Sequence, residues 1–350
     1  MSLTSAPAHP DRGIETVEEL ESLLSEPSSA AIAAVSRLTG TLLILGVAGK
    51  MGPTLARMAK RATDTAGNRL RVIGVSRFST TGSQEGLRQD GIETIPCDLL
   101  NENSVSQLPN AENVVFMAGM KFGSTGGEST TWAMNAYLPG LVCNRFRKSR
   151  MVAFSTGNVY GLAPIERGSL ETDSLNPLGE YAMSCLGRER ILEHFSRVHQ
   201  TPMAILRLNY ACELRYGVLI DLAQKISRDE PIDLAMGYFN ILWQGDANAM
   251  ALAAFDHLSS PPNPINLTGP ERLEVRSVCE QLGRRMSRSP RFLGEPGKTA
   301  LLSDATRALR CLGPTRIAAD QLIEWAALWV MRGGALLGKP TRFESRDGRF

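Results

Sequence analysis

The sequence predicts an α/β protein with a doubly wound parallel sheet and a smaller, mostly helical C-terminal lobe. The run "TLLILGVAGKMG", which begins at Thr41, is apolar throughout and ends in glycines, as is typical of a strand buried on both faces. Short apolar runs then alternate with helical segments as far as about Leu206. Such alternation favours a parallel sheet with helices on both sides.

The N-terminal residues come before the first predicted strand. Residues 1 to about 12 are rich in Ser, Ala and Pro, which predicts a loose tail. The segment "TVEELESLLSE" then carries Val17, Leu20, Leu23 and Leu24 at helical spacing. We therefore expect a short helical pair ahead of the sheet.

The rest of the chain supplies the remaining elements. "GPTLARMAKRA" predicts a helix, and the next strands are expected at "RVIGVSR", "NVVFMAG" and "MVAFSTG". Later amphipathic helices are predicted at "GVLIDLAQKIS", "DANAMALAAFDHL", "EVRSVCEQLGRRM" and "IAADQLIEWAALWVM", with "PINLTG" as a short strand. The predicted units are an N-terminal tail and helical extension (1–38), a sheet domain (39–210) and a lobe partly interleaved with the sheet (211–350). A lobe over the carboxyl edge of the sheet leaves a cleft between the two parts.

Composition excludes several classes of function. The 350 residues include 38 basic and 36 acidic side chains, for a net charge of +2, so no strong field favours nucleic acid or a membrane surface. The six cysteines form no CxxC pair, and we expect neither a metal site nor a disulfide scaffold. No basic segment leads into an apolar run, and no apolar run approaches the roughly 20 residues of a membrane helix. A cytoplasmic protein is expected.

The glycines after the first strand carry the first functional signal. Gly46, Gly49 and Gly52 form GxxGxxG between a buried strand and a helix, where backbone must approach a pyrophosphate closely. A tight strand-to-helix turn alone also uses glycines, but this position favours a dinucleotide. The sequence therefore predicts a Rossmann-type domain, with Lys50 and Met51 of the same turn at the cofactor.

Further segments extend this signal along the chain. After GxxGxxG come "CDLLNENSV", "FMAGMKFG", "TWAMNAYLPG", "FSTGNVYG", "NPLGEYAMSC" and "WQGDANAMA". In this order they resemble the extended short-chain dehydrogenase/reductase superfamily, in its NAD-dependent epimerase/dehydratase branch, over most of residues 41 to 330. The resemblance implies NAD or NADP as cofactor. It also implies further cofactor-lining positions at Asp98, Leu99, Ala118, Gly119, Lys121, Asn135 and Tyr181.

Two residues after the second strand bear on the choice of dinucleotide. NAD users of this branch usually place an acid there, whereas this chain has Ser76 followed by Arg77. A carboxylate repels a 2′-phosphate and an arginine can pair with one, so NADP is favoured over NAD. The alternative is that Arg77 is only a solvated surface charge.

The resemblance also implies a catalytic pair. In this family a tyrosine exchanges a proton with the substrate and a serine or threonine hydroxyl orients the reacting oxygen, and Tyr181 and Thr156 occupy these positions. Both also have structural interpretations, as an aromatic residue at a helix start and as a hydroxyl that bonds backbone at a strand end.

The family motif YxxxK is broken, because Cys185 stands where the lysine belongs. A cation at about 4 Å is worth on the order of 4 kcal/mol at an effective dielectric near 20, or roughly three pKa units. Without it, we expect Tyr181 to titrate near its ordinary pKa of about 10. Conventional catalysis then needs another cation.

Three alternatives to the missing lysine remain open. Lys121 follows the fourth strand, where some epimerases of this branch also carry a lysine near the nicotinamide. Arg188 lies seven residues beyond Tyr181 on the same helical face, and its side chain leans toward the N-terminus. Either cation could instead be a solvated charge. Cys185 could act as a nucleophile, although no activating histidine lies nearby in sequence.

The branch commonly acts on nucleotide sugars, and the resemblance implies Thr156, Asn158, Asn209 and Arg215, with Tyr216, as substrate-side residues. Sugar dehydratases of this branch place an Asp-Glu pair after the threonine, where this chain has Gly157 and Asn158, so dehydration is disfavoured. Epimerisation, oxidation or reduction of a sugar derivative remains. The alternative is a catalytically silent NAD(P)-binding sensor or scaffold.

The resemblance also implies a homodimer. In this family the contact commonly uses helices beside the catalytic one, which correspond here to "TWAMNAYLPGLVCNRF" and "EYAMSCLGRERILEHF".

Overall fold

A computed structural model describes residues 13–349, so the tail expected at residues 1 to about 12 lies outside the described residues. The strands are β1 Thr41–Leu45, β2 Arg71–Ser76, β3 Glu93–Pro96, β4 Asn113–Phe116, β5 Arg150–Thr156, β6 Ala163–Pro164, β7 Met203–Leu208, β8 Ala211–Cys212, β9 Ile232–Asp233, β10 Tyr238–Phe239, β11 Leu242–Trp243, β12 Asn263–Leu267, β13 Leu273–Glu274, β14 Phe292–Leu293 and β15 Thr299–Ala300.

The α-helices are α1 Val17–Leu24, α2 Ser29–Ser36, α3 Gly52–Ala66, α4 Ser83–Gln89, α5 Glu102–Ser106, α6 Glu128–Trp132, α7 Leu138–Arg145, α8 Gly179–His199, α9 Val218–Ser227, α10 Gln244–Ala253, α11 Val275–Met286, α12 Thr306–Leu312 and α13 Ala319–Met331. A π-helical turn, Ala133–Tyr137, joins α6 to α7, and 3₁₀ turns occupy Gly157–Tyr160 and Ala254–His257.

Within residues 13–349, the central sheet has seven parallel strands in the order β12-β7-β5-β4-β1-β2-β3. All five residues of β1 are buried, as the uninterrupted apolar run predicts. The predicted Rossmann-type, doubly wound sheet is therefore confirmed. Because β1 lies between β2 and β4, the strand order reverses there, and a crevice opens at the carboxyl ends of these strands.

The helices cover both faces of the sheet and build the lobe. One core joins α2, α3 and α10 to the sheet, and a second joins α5, α7 and α8 to the opposite face. A further core gathers α9, α11 and α13 into the C-terminal lobe. The predicted N-terminal helical pair spans two of these units, since Leu20 and Leu24 of α1 pack in the lobe core whereas Ala31 and Val35 of α2 pack on the sheet.

The segment after α13, residues 333–349, is called here the C-terminal strap. It runs back over the cleft between sheet and lobe. Its Leu337 amide donates to the carbonyl of Arg215 at 3.0 Å, and its Thr341 amide and hydroxyl donate to Asp221 at 2.7 and 2.5 Å. Phe343 is buried beside Phe239 of β10. The strap therefore forms part of the cleft wall.

Candidate active site

The glycine turn between β1 and α3 has the close backbone contacts that its sequence predicts. Gly46 has φ +92°, and a side chain there would meet the Ala118 backbone nitrogen at 2.7 Å. A side chain at Gly52 would collide with the carbonyl of Val47. The turn therefore excludes side chains at both positions, and α3 starts beside the cleft with its N-terminus toward it.

Among the described residues, two adjoining cavities occupy the cleft. The cofactor cavity, about 610 Å³, runs from the glycine turn past the ends of β4 and β5 to the start of α8 and the strap. The substrate cavity, about 190 Å³, lies between the end of β7, the start of α9 and Thr341. Six residues line both cavities: Lys50, Met51, Lys121, Tyr181, Leu208 and Tyr216.

The cofactor cavity brings together most of the positions assigned to the dinucleotide. Those that line it are Gly46, Gly49, Lys50, Met51, Gly119, Lys121, Asn135 and Tyr181. Those not among its described lining residues are Gly52, Ser76, Arg77, Asp98, Leu99 and Ala118. Ser76 ends β2 and the exposed Arg77 follows it. Asp98 is exposed and accepts from the Leu100 amide, and Leu99 is buried in the core.

The substrate-side candidates divide between the two cavities. Thr156, Asn158, Asn209 and Tyr216 line the substrate cavity. Arg215 instead lines the cofactor cavity, where it pairs with Glu21 of α1 at 2.8 Å and with Glu213 at 3.0 Å.

Thr156 and Tyr181 form the hydroxyl pair of the site. The Thr156 hydroxyl accepts hydrogen bonds from the Asn158 amide at 3.2 Å and from its side chain at 2.9 Å. Burial raises the pKa of Tyr181 well above its ordinary value, while a hydrogen bond with Thr156 acts in the opposite direction. The expectation of an ordinary pKa near 10 is therefore wrong, because the burial of the phenol depends on the tertiary structure and cannot be derived from the residues around Tyr181 in sequence.

Cys185 packs in the same cluster as Tyr181 and also lines the cofactor cavity. Its side chain is 2% exposed, and burial raises its pKa to about 11. At neutral pH the thiol is protonated, which disfavours its interpretation as a nucleophile.

Arg188 is a buried charge, 5% exposed, in the wall of the same cavity. Its guanidinium donates to the carbonyls of Phe154 at 2.8 Å and Ala118 at 3.0 Å, and to the side-chain oxygen of Asn135 at 2.8 Å. The alternative of a solvated surface charge is therefore wrong for Arg188. Its charge acts to lower the pKa values of Tyr181 and Cys185 against the larger effect of burial.

Lys121 approaches the pair from the loop after β4. Its ammonium nitrogen lies 5.8 Å from the centroid of the Tyr181 ring and donates to the Thr341 carbonyl at 3.4 Å. Burial lowers its pKa to about 8, so its ammonium loses a proton more readily than that of an exposed lysine.

Several wall residues were missed by reasoning from sequence. Glu21 comes from the N-terminal extension, Leu337, Lys339 and Thr341 come from the strap, and Phe122 follows Lys121. The terminal segments carry no motif that could have indicated this position. Phe122 stands within "FMAGMKFG" and could have been included with its neighbours.

Residues 13–349 contain no group of three or more His, Cys, Asp or Glu side chains placed to hold a metal ion. Within the same residues, none of the helices combines the length and the apolar character needed to cross a bilayer.

The strand order and the position of the cleft define the class of protein. It is a Rossmann-type α/β protein whose site lies at the carboxyl edge of its sheet. The model of the NAD-dependent epimerase/dehydratase family matches residues 42–216. The chain belongs to that family.

Solved structures of low sequence identity share the fold. A UDP-glucuronic acid 4-epimerase from Bacillus cereus, in complex with UDP-glucuronic acid and NAD, is 18% identical with a TM-score of 0.68 over 83% of this chain and 98% of that chain. A UDP-glucose 4-epimerase from Thermotoga maritima with UDP-glucose is 17% identical, with a TM-score of 0.67 over 84% and 99%. A dTDP-glucose 4,6-dehydratase from Bacillus anthracis with NAD is 12% identical, with a TM-score of 0.70 over 83% and 96%. No curated protein matches the chain by sequence.

Proposed function

We propose that the protein is an NAD(P)-dependent oxidoreductase or epimerase that acts on a sugar or nucleotide-sugar derivative. The observation that carries this proposal is that Tyr181 and Lys121 lie where the two cavities join, with Thr156 beside Tyr181 in the wall of the substrate cavity. The family and the nucleotide-sugar ligands of the similar structures support the substrate class. We also propose that residues 211–350 mainly serve the substrate side.

The cofactor cavity fits a dinucleotide on physical grounds. Side chains are excluded at Gly46 and Gly52, so a pyrophosphate can approach the backbone beside the N-terminus of the 15-residue helix α3. A volume of about 610 Å³ lies within the range of about 300–1,000 Å³ typical of small-molecule sites. Gly46, Gly49, Lys50 and Met51 would hold the pyrophosphate, and Tyr181 would face the nicotinamide end. Asn135 would support that end through its hydrogen bonds to the Met120 backbone.

A nicotinamide dinucleotide held in the cofactor cavity would supply hydride transfer at the carbon that bears the reacting hydroxyl. Tyr181 takes the hydroxyl proton in the oxidising direction and gives it back in the reducing direction. The Thr156 hydroxyl orients the reacting oxygen. Arg188 and the Lys121 ammonium favour negative charge on the Tyr181 oxygen, which is the role of the lysine that Cys185 replaces.

The test is hydride exchange. Purified protein should bind NAD or NADP in calorimetry, and should exchange hydride with at least one member of a panel of nucleotide sugars, sugars and polyols. If neither NAD nor NADP binds in either redox form, the proposed function is contradicted, because every step depends on a bound dinucleotide.

A catalytically silent sensor or scaffold is the second candidate. The observation that favours it is Cys185 beside a tyrosine whose pKa burial raises. Tight dinucleotide binding with no hydride exchange across the whole panel would support this candidate over the enzyme.

We propose NADP as the preferred dinucleotide. Arg77 is exposed directly after β2 and no acid stands at that position, which supports a 2′-phosphate contact. Arg77→Ala should then weaken NADP binding and leave NAD binding unchanged. A parent protein that binds NAD more tightly than NADP contradicts this preference.

We also propose a homodimer in the cytoplasm. Trp132, Tyr137 and Met183 are large, exposed side chains on the neighbouring helical segments α6 to α7 and α8, which supports a contact there. All six cysteines are free, which supports a reducing compartment. Sedimentation should give a dimer for the parent and a monomer for Tyr137→Glu; a monomeric parent contradicts the contact.

A further inference from the structure

Lysine side chains meet at the junction of the two cavities. Lys50 lies in the glycine turn, and its ammonium nitrogen is 3.0 Å from the centroid of the Tyr216 ring and 4.7 Å from that of Phe122. The Lys121 ammonium lies 5.6 Å from the centroid of the same Phe122 ring. Both lysines line both cavities, and Lys339 of the strap lines the cofactor cavity.

The nearby carboxylates are engaged by other groups. Asp221 accepts two hydrogen bonds from Thr341, and Glu213 is paired with Arg215 at 3.0 Å. Lys50 and Lys339 form no ion pair with any residue of the described range 13–349. Within that range, Lys50 and Lys339 therefore bring positive charge to the junction that no ion pair balances.

The electrostatics of Lys50 reflect this imbalance. Its side chain is half-buried, and burial together with the charges of Lys121 and Lys339 lowers its pKa to about 7. Desolvated like charges repel one another, and a bound anion would replace that repulsion with attraction. Lysine ammoniums are suited to phosphate and carboxylate groups as compact charges with several donors.

We propose that Lys50, Lys121 and Lys339 form a three-lysine site that binds one phosphate or carboxylate group where the two cavities join. The group has two possible sources. It is either part of the dinucleotide pyrophosphate or an acidic group of the substrate, and the substrate source rests on the proposed function. In either case Lys339 makes the strap part of the binding site.

The test is calorimetric titration of the full chain with inorganic phosphate, without dinucleotide and with saturating dinucleotide. Lys50→Met and Lys339→Met should each weaken phosphate binding about tenfold, equivalent to about 1.4 kcal/mol. Lys148→Met is the matched control, because Lys148 is exposed just before β5, at the opposite edge of the sheet. Circular dichroism melts check that all three variants fold.

The two sources give different results. If the dinucleotide supplies the anion, saturating NAD or NADP abolishes phosphate binding, and Lys50→Met weakens dinucleotide binding. If the substrate supplies it, phosphate still binds the dinucleotide-loaded protein, and dinucleotide affinity is the same in Lys50→Met as in the parent.

The proposal is overturned if phosphate binds equally to the parent, Lys50→Met and Lys339→Met. It is also overturned if phosphate binds none of them and dinucleotide affinity is unchanged in both variants. If phosphate binds through these lysines but no hydride exchange is detected, the anion site is supported and only the proposed enzyme function is contradicted.

Discussion

Two buried arginines, one on helix α8 and one packed beside it, have opposite surroundings. Arg207 of β7 pairs with Glu189 of α8 at 2.8 Å and donates to the Tyr160 hydroxyl at 2.7 Å. Arg188, the residue before Glu189, donates only to neutral oxygens among the described residues. One guanidinium is compensated by a carboxylate, and the other is not.

We propose that this difference separates a structural charge, Arg207, from a functional one, Arg188. The Arg207–Glu189 pair also holds the Ser155 hydroxyl, which donates to Glu189 at 2.6 Å, so it fixes strands behind the site. The uncompensated charge of Arg188 reaches the wall of the cofactor cavity, where Cys185 cannot supply one. A buried cation without a carboxylate is costly, and we propose that Arg188 is retained because it acts toward the dinucleotide that the cavity would hold.

The largest expected effect is on the compensated pair. Glu189→Ala leaves Arg207 buried and unpaired, and should lower the free energy of unfolding by about 3–5 kcal/mol. Glu193→Ala is the control on the same helix, since its ion pairs with Arg190 and Arg197 are partly exposed and should cost about 1 kcal/mol or less. Urea unfolding measures both. Equal losses would contradict the structural role of the pair.

The second largest effect is expected on turnover, and it is tested by comparing substitutions of two tyrosines. Tyr181→Phe removes the proposed proton carrier and should lower turnover at least 100-fold. Tyr160→Phe removes a hydroxyl that bonds Arg207 and Asn266, and should cost about 1–3 kcal/mol of stability with turnover retained. Steady-state kinetics below the melting temperature separate the two. Turnover retained in Tyr181→Phe would exclude its assigned role.

Removal of the uncompensated charge should have a smaller effect. Arg188→Met should weaken dinucleotide binding about tenfold, or about 1.4 kcal/mol. It should also shift to higher pH the limb of the pH–rate profile that reports Tyr181, which is the rising limb for oxidation and the falling limb for reduction. The sign follows because Arg188 lowers the already raised pKa of Tyr181, so its loss raises that pKa further. Arg188→Lys should retain part of the dinucleotide affinity and part of the effect on the pH–rate profile. A changed melting temperature with an unchanged pH profile would leave Arg188 a purely structural role.

The smallest effect is expected from restoring the family motif. Cys185→Lys places an ammonium beside Arg188, so like charges should limit the gain in rate to about a few-fold. In the Arg188→Met background the same change should give a larger gain, measured as the coupling energy of a double-mutant cycle. Equal gains in both backgrounds would show that Arg188 does not act in place of the lysine.

The periodicity of the sequence predicted much of the fold. Every strand named from an apolar run is present, including "PINLTG", which forms β12 and pairs in parallel with β7 at the edge of the main sheet. Two strands of that sheet were not named. β3 is a half-exposed edge strand with no apolar run. β7 spans Leu206, the residue after which the alternation of strands and helices loosens in the sequence.

Sequence alone determined the features that depend on a few consecutive residues. The glycine turn is local, because Gly46 to Gly52 lie within one strand-to-helix connection and their φ angles and close contacts follow from the absence of Cβ. The Tyr181–Cys185 spacing is also local, since it is one turn of α8.

Only the tertiary structure decided where the charges act. The oxygens that hold Arg188 come from β5, the loop after β4 and the π-helical turn, and the three lysines come from the glycine turn, the loop after β4 and the strap. Burial and electrostatic potential depend on everything packed around a group, and no local pattern encodes that sum.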